Sequence, residues 1–233
     1  MRTIQRHLLI DADDTLWENN IYYLRCTAKM TALMASHGLS RAETIAALDA
    51  VEQELIPTYG YGPDCYVRAL GVTARRLLAG RHVDVEQVAE AARRCGDLVI
   101  EPPTVLLPAV PETLHALRAS SQLTLVTKGV ERFQRPKLVR SGLEQLFDQV
   151  YVVAEKDQAI YEQIVTELGV DRQKTWMIGN SPKSDINPAV AAGLGAIWLP
   201  HDHTWTAEHT EVEAPERVTV LQRFGDLVDF FGL

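Results

Sequence analysis

The tightest constraint on this chain lies near its start, where the apolar run His7-Leu8-Leu9-Ile10 stops abruptly at Asp11-Ala12-Asp13-Asp14-Thr15. A short unbroken apolar run bounded by polar residues reads as a strand buried on both faces. In open α/β sheets, ligand sites form at the carboxyl ends of such strands. Residues i and i+2 of an extended backbone point the same way, so Asp11 and Asp13 can face one pocket. Two carboxylates that close repel each other unless a cation or a shared proton compensates. Hard divalent cations such as Mg²⁺ take carboxylate oxygens together with substrate phosphate and water. In such a pocket one carboxylate can attack as a nucleophile while the other moves the leaving-group proton. The competing reading is a surface turn whose acids cap a helix.

Similar apolar runs recur at residues 123–127, 150–153, 175–178 and 196–199, separated by helical patterns at 111–120, 131–141, 158–168 and 188–192. Strands alternating with helices of this length predict an α/β fold, a three-layer, doubly wound parallel sheet with helices on both faces. Residues 17–101 read differently, with helical patterns alone at 20–37, 41–55, 64–79 and 85–100. In the first of these, Leu24, Ala28, Thr31 and Ala35 recur at helical spacing. The expectation is an α/β core from residues 1–16 and 102–233, with 17–101 inserted as a separate all-helical lobe. Residues 201–217 are polar and irregular and read as a long surface loop before a last strand and helix within 218–231.

Three further clusters fall at predicted strand ends. The first is Thr127-Lys128-Gly129, where a hydroxyl and exposed backbone amides can hold a phosphate oxygen. In the second, Glu155-Lys156-Asp157, a lysine can neutralise a nucleophilic carboxylate and a transferring phosphoryl group. Lys137 competes for that role from within a helical pattern, and Lys156 is preferred. The third runs Gly179-Asn180-Ser181-Pro182-Lys183-Ser184-Asp185 and leads into an alanine-rich helix.

Together these clusters carry a resemblance. DADDTLW at residues 11–17 is similar to the first motif of the haloacid dehalogenase-like superfamily, and the other three follow in that superfamily's order. The resemblance implies a core of that fold with a helical cap, and a Mg²⁺-dependent phosphatase working through an aspartyl-phosphate. It implies that Asp11 is the nucleophile and Asp13 the general acid/base. Thr127, Lys128 and Lys156 would contact the phosphorylated substrate, Thr127 and Lys156 in catalytic roles. Asp11, Asp13 (through its backbone carbonyl), Asn180 and Asp185 would hold the metal. Asn180 departs from the pattern, which usually places an acid there; an amide oxygen is still a ligand but adds no charge. The acid at Asp13 favours phosphoryl transfer over halide displacement. The other readings are a phosphomutase or phosphotransferase of the same superfamily and a non-catalytic binding protein on a degenerate form of the fold.

The formal net charge of −8 argues against a nucleic-acid partner, because phosphate backbones reward clustered Lys and Arg. The expected partner is a small phosphorylated molecule, with no membrane and with the chain a monomer or homodimer. Three widely spaced cysteines, Cys26, Cys65 and Cys95, read as reduced thiols and predict a cytoplasmic location. The opening apolar run is too short for a signal peptide. Within the helical insertion, Tyr59-Gly60-Tyr61-Gly62-Pro63 breaks the pattern; a specificity loop and a plain turn fit equally. Arg25 and Arg68 are conceivable contacts to a distal anionic group. His201, His203 and His209 are spaced too loosely to support zinc, so the stretch reads as a polar loop at a pocket mouth.

Overall fold

The computed structural model describes residues 4–233. In chain order the elements are β1 (Arg6–Ile10), α1 (Asn20–Ala35), α2 (Arg41–Tyr59), α3 (Pro63–Leu78), α4 (Val85–Arg94) and a single turn, α5 (Asp97–Ile100). There follow α6 (Val110–Arg118), β2 (Ser121–Lys128), α7 (Glu131–Ser141), β3 (Gln149–Val153), α8 (Gln158–Leu168) and β4 (Thr175–Gly179). The chain closes with α9 (Asn187–Ala191), β5 (Gly195–Trp198), β6 (Val218–Val220) and α10 (Asp226–Phe230). It divides into two compact units, one of the residues up to Asn20 with Thr104–Leu233, the other Ile21–Pro103.

The first unit is a six-stranded, all-parallel sheet in the order β3-β2-β1-β4-β5-β6. The period-two alternation of a strand explains the layers. Leu8 and Ile10 of β1 point to one face and pack with Val110, Leu114 and Leu117 of α6 and Leu138 of α7. Leu9 points to the other and packs with Tyr161, Ile164 and Val165 of α8 and Ala189 of α9. All three β1 side chains are fully buried, each contributing about 1.5–3 kcal/mol of apolar transfer. A strand sandwiched this way has no polar face, which is why the run reads as unbroken apolar sequence. In register, Ile10 pairs with Leu125 on one side and Ile178 on the other, so Asp11, Thr127 and Asn180 emerge at one sheet edge.

The second unit is helical throughout. Ser40 caps α2 with a reciprocal capping box, its hydroxyl accepting from the Glu43 N–H while Glu43 accepts from the Ser40 N–H (3.2 and 2.9 Å). Asp84 caps α4, accepting from the Gln87 N–H at 3.0 Å. Spacing marks α1 as a helix but does not say which of its faces is buried. Leu24, Ala28 and Ala35 are exposed, and the buried stripe is Tyr22, Cys26, Met30 and Met34, with Thr31 beside it. Both stripes repeat at intervals of about four residues, so period alone cannot choose. The larger Tyr and Met side chains fill the space against Leu70, Ala74 and Leu78 of α3 and Val88 and Ala92 of α4.

Two other boundaries differ from expectation. The helix predicted at 41–55 runs on to Tyr59 through Pro57, ending where the Gly60 N–H bonds the Ile56 carbonyl at 2.8 Å. The helix predicted at 85–100 breaks at Cys95-Gly96, and Gly96 lies hard against α3. A Cβ at Gly96 would lie 2.7 Å from Val67 Cγ2 and 2.9 Å from Leu70 Cδ1.

Candidate active site

Asp11 stands one residue beyond β1, with its N–H bonded to the Ile178 carbonyl of β4 (2.9 Å). Both of its carboxylate oxygens are held: Lys156 Nζ donates to Oδ1 at 2.5 Å, and Thr15 Oγ1 donates to Oδ2 at 2.8 Å. Lys156 reaches the site because Asp157 starts α8, accepting the Ile160 N–H at 2.9 Å and fixing the backbone one residue after the lysine. The same ammonium donates to Asp185 Oδ1 at 2.7 Å. Asp11, Lys156 and Asp185 are all buried, so one cation balances two carboxylates out of water. Burial disfavours the charged lysine, but Asp11 and then Asp185 hold its pKa above the ordinary value. Burial also raises Asp185, to about 7, with Lys156 pulling the other way and Asp11 adding to the rise.

Asp185 is aimed by an unusual turn. Residues Pro182–Ile186 wind as one wide π turn, with the Ile186 N–H reaching the Ser181 carbonyl at 3.1 Å, and the Ser181 N–H donates to Asp185 Oδ2 at 2.9 Å. The carboxylate occupies space that a side chain at residue 179 would take: a Cβ on Gly179 would lie 2.3 Å from Asp185 Oδ2. Asn180 is buried beside Thr15, its Oδ1 3.5 Å from Thr15 Oγ1, while its Nδ2 donates to Thr204 Oγ1 at 2.9 Å.

Asp13 sits apart from that trio and has its own lysine. Lys137 Nζ donates to both Asp13 oxygens (2.9 and 2.8 Å), Gln134 Nε2 to Oδ2 (3.0 Å) and Trp17 Nε1 to Oδ1 (2.7 Å). Against the effect of burial, Lys137, Gln134 and Trp17 keep its pKa below the usual carboxylate value. The two lysines weighed as rivals in the sequence therefore serve different carboxylates, and Gln134 and Lys137 of α7 are site neighbours that no strand-end motif marks. Asp14 adopts a left-handed backbone (φ 60°) and accepts the N–H groups of Asn19 and Asn20 at 2.8 and 3.1 Å, so one acid of the cluster does cap a helix, α1. Burial lifts its pKa to about 7 despite those bonds.

Thr127 is buried at the end of β2. Lys128 is not brought into the Asp11 contacts. Its ammonium donates to Glu208 and, at 3.0 Å, to Ser184 Oγ, with Glu155 3.9 Å away. Glu208 also accepts from the hydroxyls of Ser181 (2.6 Å) and Ser184, tying the loop after β5 to the turn that carries Asp185. Lys128 and the two serines lower the Glu208 pKa against burial. Nothing in the polar sequence around Glu208 signals this role. The Tyr161 hydroxyl donates to the Ser184 carbonyl from the other side at 2.9 Å. Among the described residues no helix is long and apolar enough to cross a membrane.

Comparison with known proteins identifies the family and the fold. The chain is 30% identical over 115 residues to the pyrimidine 5'-nucleotidase YjjG of Escherichia coli, covering 43% of this chain and 51% of that protein. It is 30% identical over 122 residues to a phosphoserine phosphatase of Thermus thermophilus, covering 50% and 46%. The chain thus spans about half the length of these relatives. A haloacid dehalogenase-like family hydrolase from Xanthomonas campestris superposes with a TM-score of 0.84 at 27% identity, covering 98% of this chain and 91% of that one. With the family model for haloacid dehalogenase-like hydrolases matching residues 5–193, the chain belongs to that family.

Proposed function

We propose that the chain is a Mg²⁺-dependent phosphohydrolase that attacks a small phosphate monoester with Asp11. The observation that carries this reading is the constraint on Asp11: Lys156 and Thr15 hold one oxygen each, so the carboxylate is oriented before substrate arrives. Support for a phosphate monoester comes from the relatives, a nucleotidase and a phosphoserine phosphatase by name. The donor set fits a hard divalent cation. Asp11 and Asp185 bring two carboxylates against the one ammonium of Lys156, which leaves one negative charge for a cation to balance. Asp11, Asp185, the Asn180 amide oxygen and the Asp13 backbone carbonyl would hold the ion, which supplies charge neutralisation of the phosphoryl oxygens.

An Asp11 oxygen forms a bond to phosphorus as the bond from phosphorus to the leaving oxygen breaks, giving an aspartyl-phosphate. Asp13 delivers a proton to the leaving oxygen and then takes one from the water that hydrolyses the acyl phosphate. Lys137 holds Asp13 ionised, the form the second step needs, and so sets how readily Asp13 takes up the proton the first step spends. Thr127 and Lys156 steady the phosphoryl oxygens. Lys128, which braces the Ser184 turn from the end of β2, would also contact the phosphorylated substrate. Residues 17–101 would be the cap domain of the family, and the three free cysteines suit a reducing cytoplasm.

The test is phosphate release from p-nitrophenyl phosphate and a panel of phosphorylated metabolites, with and without Mg²⁺. Turnover that needs Mg²⁺ and falls by roughly a thousandfold or more in Asp11→Asn is expected. Turnover surviving that substitution would remove Asp11 as the nucleophile.

A further inference from the structure

A second group of ligand-type side chains lies in the α/β unit: Glu18, just before α1, and His201 and His203, in the loop after β5. The histidines flank Asp202 in a turn closed by the Thr204 N–H on the His201 carbonyl (3.0 Å). Asn20 Nδ2 donates to the His203 carbonyl at 2.6 Å, fastening this turn to the segment that carries Glu18. Glu18 Oε2 lies 3.6 Å from His201 Nε2 and 3.9 Å from His203 Nδ1, and the three ligand atoms all fall within 4.8 Å of one another. These separations are too long for hydrogen bonds. Glu18 Oε2 and His203 Nδ1 are nevertheless buried and have no hydrogen-bond partner. Two buried polar atoms facing each other across an unbridged gap call for something between them.

We propose that Glu18, His201 and His203 bind a divalent first-row transition ion, represented by Zn²⁺, at a site separate from Asp11 and Asp185. Two imidazoles and one carboxylate form a three-ligand set that leaves a further position open for water. Imidazole nitrogen favours such ions over Mg²⁺, which prefers oxygen throughout. Bonds of about 2.0–2.2 Å place ligand atoms roughly 3–3.5 Å apart, so a small inward movement of three side chains closes the site.

Binding at His201 Nε2 would cost one existing contact, the hydrogen bond from the His203 N–H to His201 Nδ1. That Nδ1 accepts the His203 N–H at 3.3 Å, which leaves the ring proton on Nε2, facing Glu18. An ion at Nε2 requires that proton on Nδ1 instead, where Asp14 Oδ1 stands 3.8 Å away. Asp14 would have to close that gap to orient a metal-bound His201 ring. The proton moves from one ring nitrogen to the other, with no net release from His201. The same loop carries Thr204 and Glu208, which hold Asn180 and the Ser181–Ser184 turn, so an ion here would steady the backbone supporting the active site.

The experiment is isothermal titration of the full chain with Zn²⁺ in excess Mg²⁺. One equivalent should bind despite the Mg²⁺, at least tenfold more weakly in His203→Ala and in Glu18→Gln. Absence of binding in the wild type, displacement by Mg²⁺, or equal binding in all three proteins would overturn the proposal. Should a variant fail to fold, Co²⁺ loaded into the wild type decides. Intense visible d–d absorption, abolished by one equivalent of Zn²⁺, supports the four-coordinate site of three side chains and water, and a weak spectrum of six-coordinate ion refutes it. The outcome is independent of whether Asp11 is the nucleophile.

Discussion

At the carboxyl edge of its sheet the α/β unit takes Asp11, Lys156, Asp185 and Glu208 out of water, whereas among the described residues of the helical unit the buried polar side chains are three threonines, Thr31, Thr44 and Thr73. The helical unit keeps its Arg–Glu pairs in solvent, Arg75 with Glu86 and Arg76 with Glu54, each at 2.7 Å. Exposed pairs of that kind contribute about 0–1 kcal/mol. Buried charge costs desolvation, and hydrophobic side chains of similar volume often do as well or better. A fold that needed only stability at β1 and β4 would have used apolar residues there, as the helical unit does between α1 and α3. The contrast therefore locates the chemistry: charge is buried at one sheet edge because something there has to be held and transferred.

Substitutions can break or sharpen this comparison. The largest effect is expected for Lys156→Met, which leaves Asp11 and Asp185 facing each other without a cation. Urea unfolding should show a loss of about 3–5 kcal/mol, against less than about 1 kcal/mol for Arg75→Met. Similar losses from the two would erase the distinction between the units. Next is Met30→Ala on the buried stripe of α1, expected to cost about 2–5 kcal/mol, while Leu24→Ala on the exposed stripe changes stability by about 0.5 kcal/mol or less. A reversal would put the Leu24 stripe in the core.

The smallest effect concerns the one strongly shifted acid of the helical unit. Burial, with Asp49 adding, lifts the carboxyl of Glu52 on α2 to about 7. A carboxyl whose folded pKa exceeds its unfolded value near 4.3 binds its proton more tightly when folded, so its contribution is complete below about pH 4 and is lost as pH rises toward 7. Glu52→Gln should flatten that part of the stability profile and, at pH 8, gain on the order of 1 kcal/mol after allowance for partial exposure. A profile unchanged between pH 4 and 8 would place Glu52 in water.

What could be read from the sequence follows from how local each signal is. The buried strands, the order of strand-end motifs and the meeting of Asp11 with Lys156 rest on short patterns whose geometry the backbone dictates. The buried face of α1 was not legible, because two stripes share one period and only the volume of partner helices separates them. The need for glycine at residue 96 depends on Val67 and Leu70, distant neighbours on α3. Lys137 was visible as a lysine in a helix, yet its pairing with Asp13 needs the packing of α7 against the sheet edge. Glu208, and Glu18 beside His201 and His203, come from loops, where no periodicity announces which side chains will meet.

The strand order carries a consequence for how the molecule is made. Ile10 pairs directly with Leu125, although the whole helical unit is threaded between them. Had that stretch been floppy, bringing its ends together would add about 0.6 kcal/mol for each doubling of its length. Because Ile21–Pro103 has a core of its own, it can collapse on local contacts and present its two ends as a short bridge. During synthesis β1 nonetheless waits, unpaired and apolar, until β2 and then β4 emerge from the ribosome. Chaperone demand, if this chain has any, should fall on that interval.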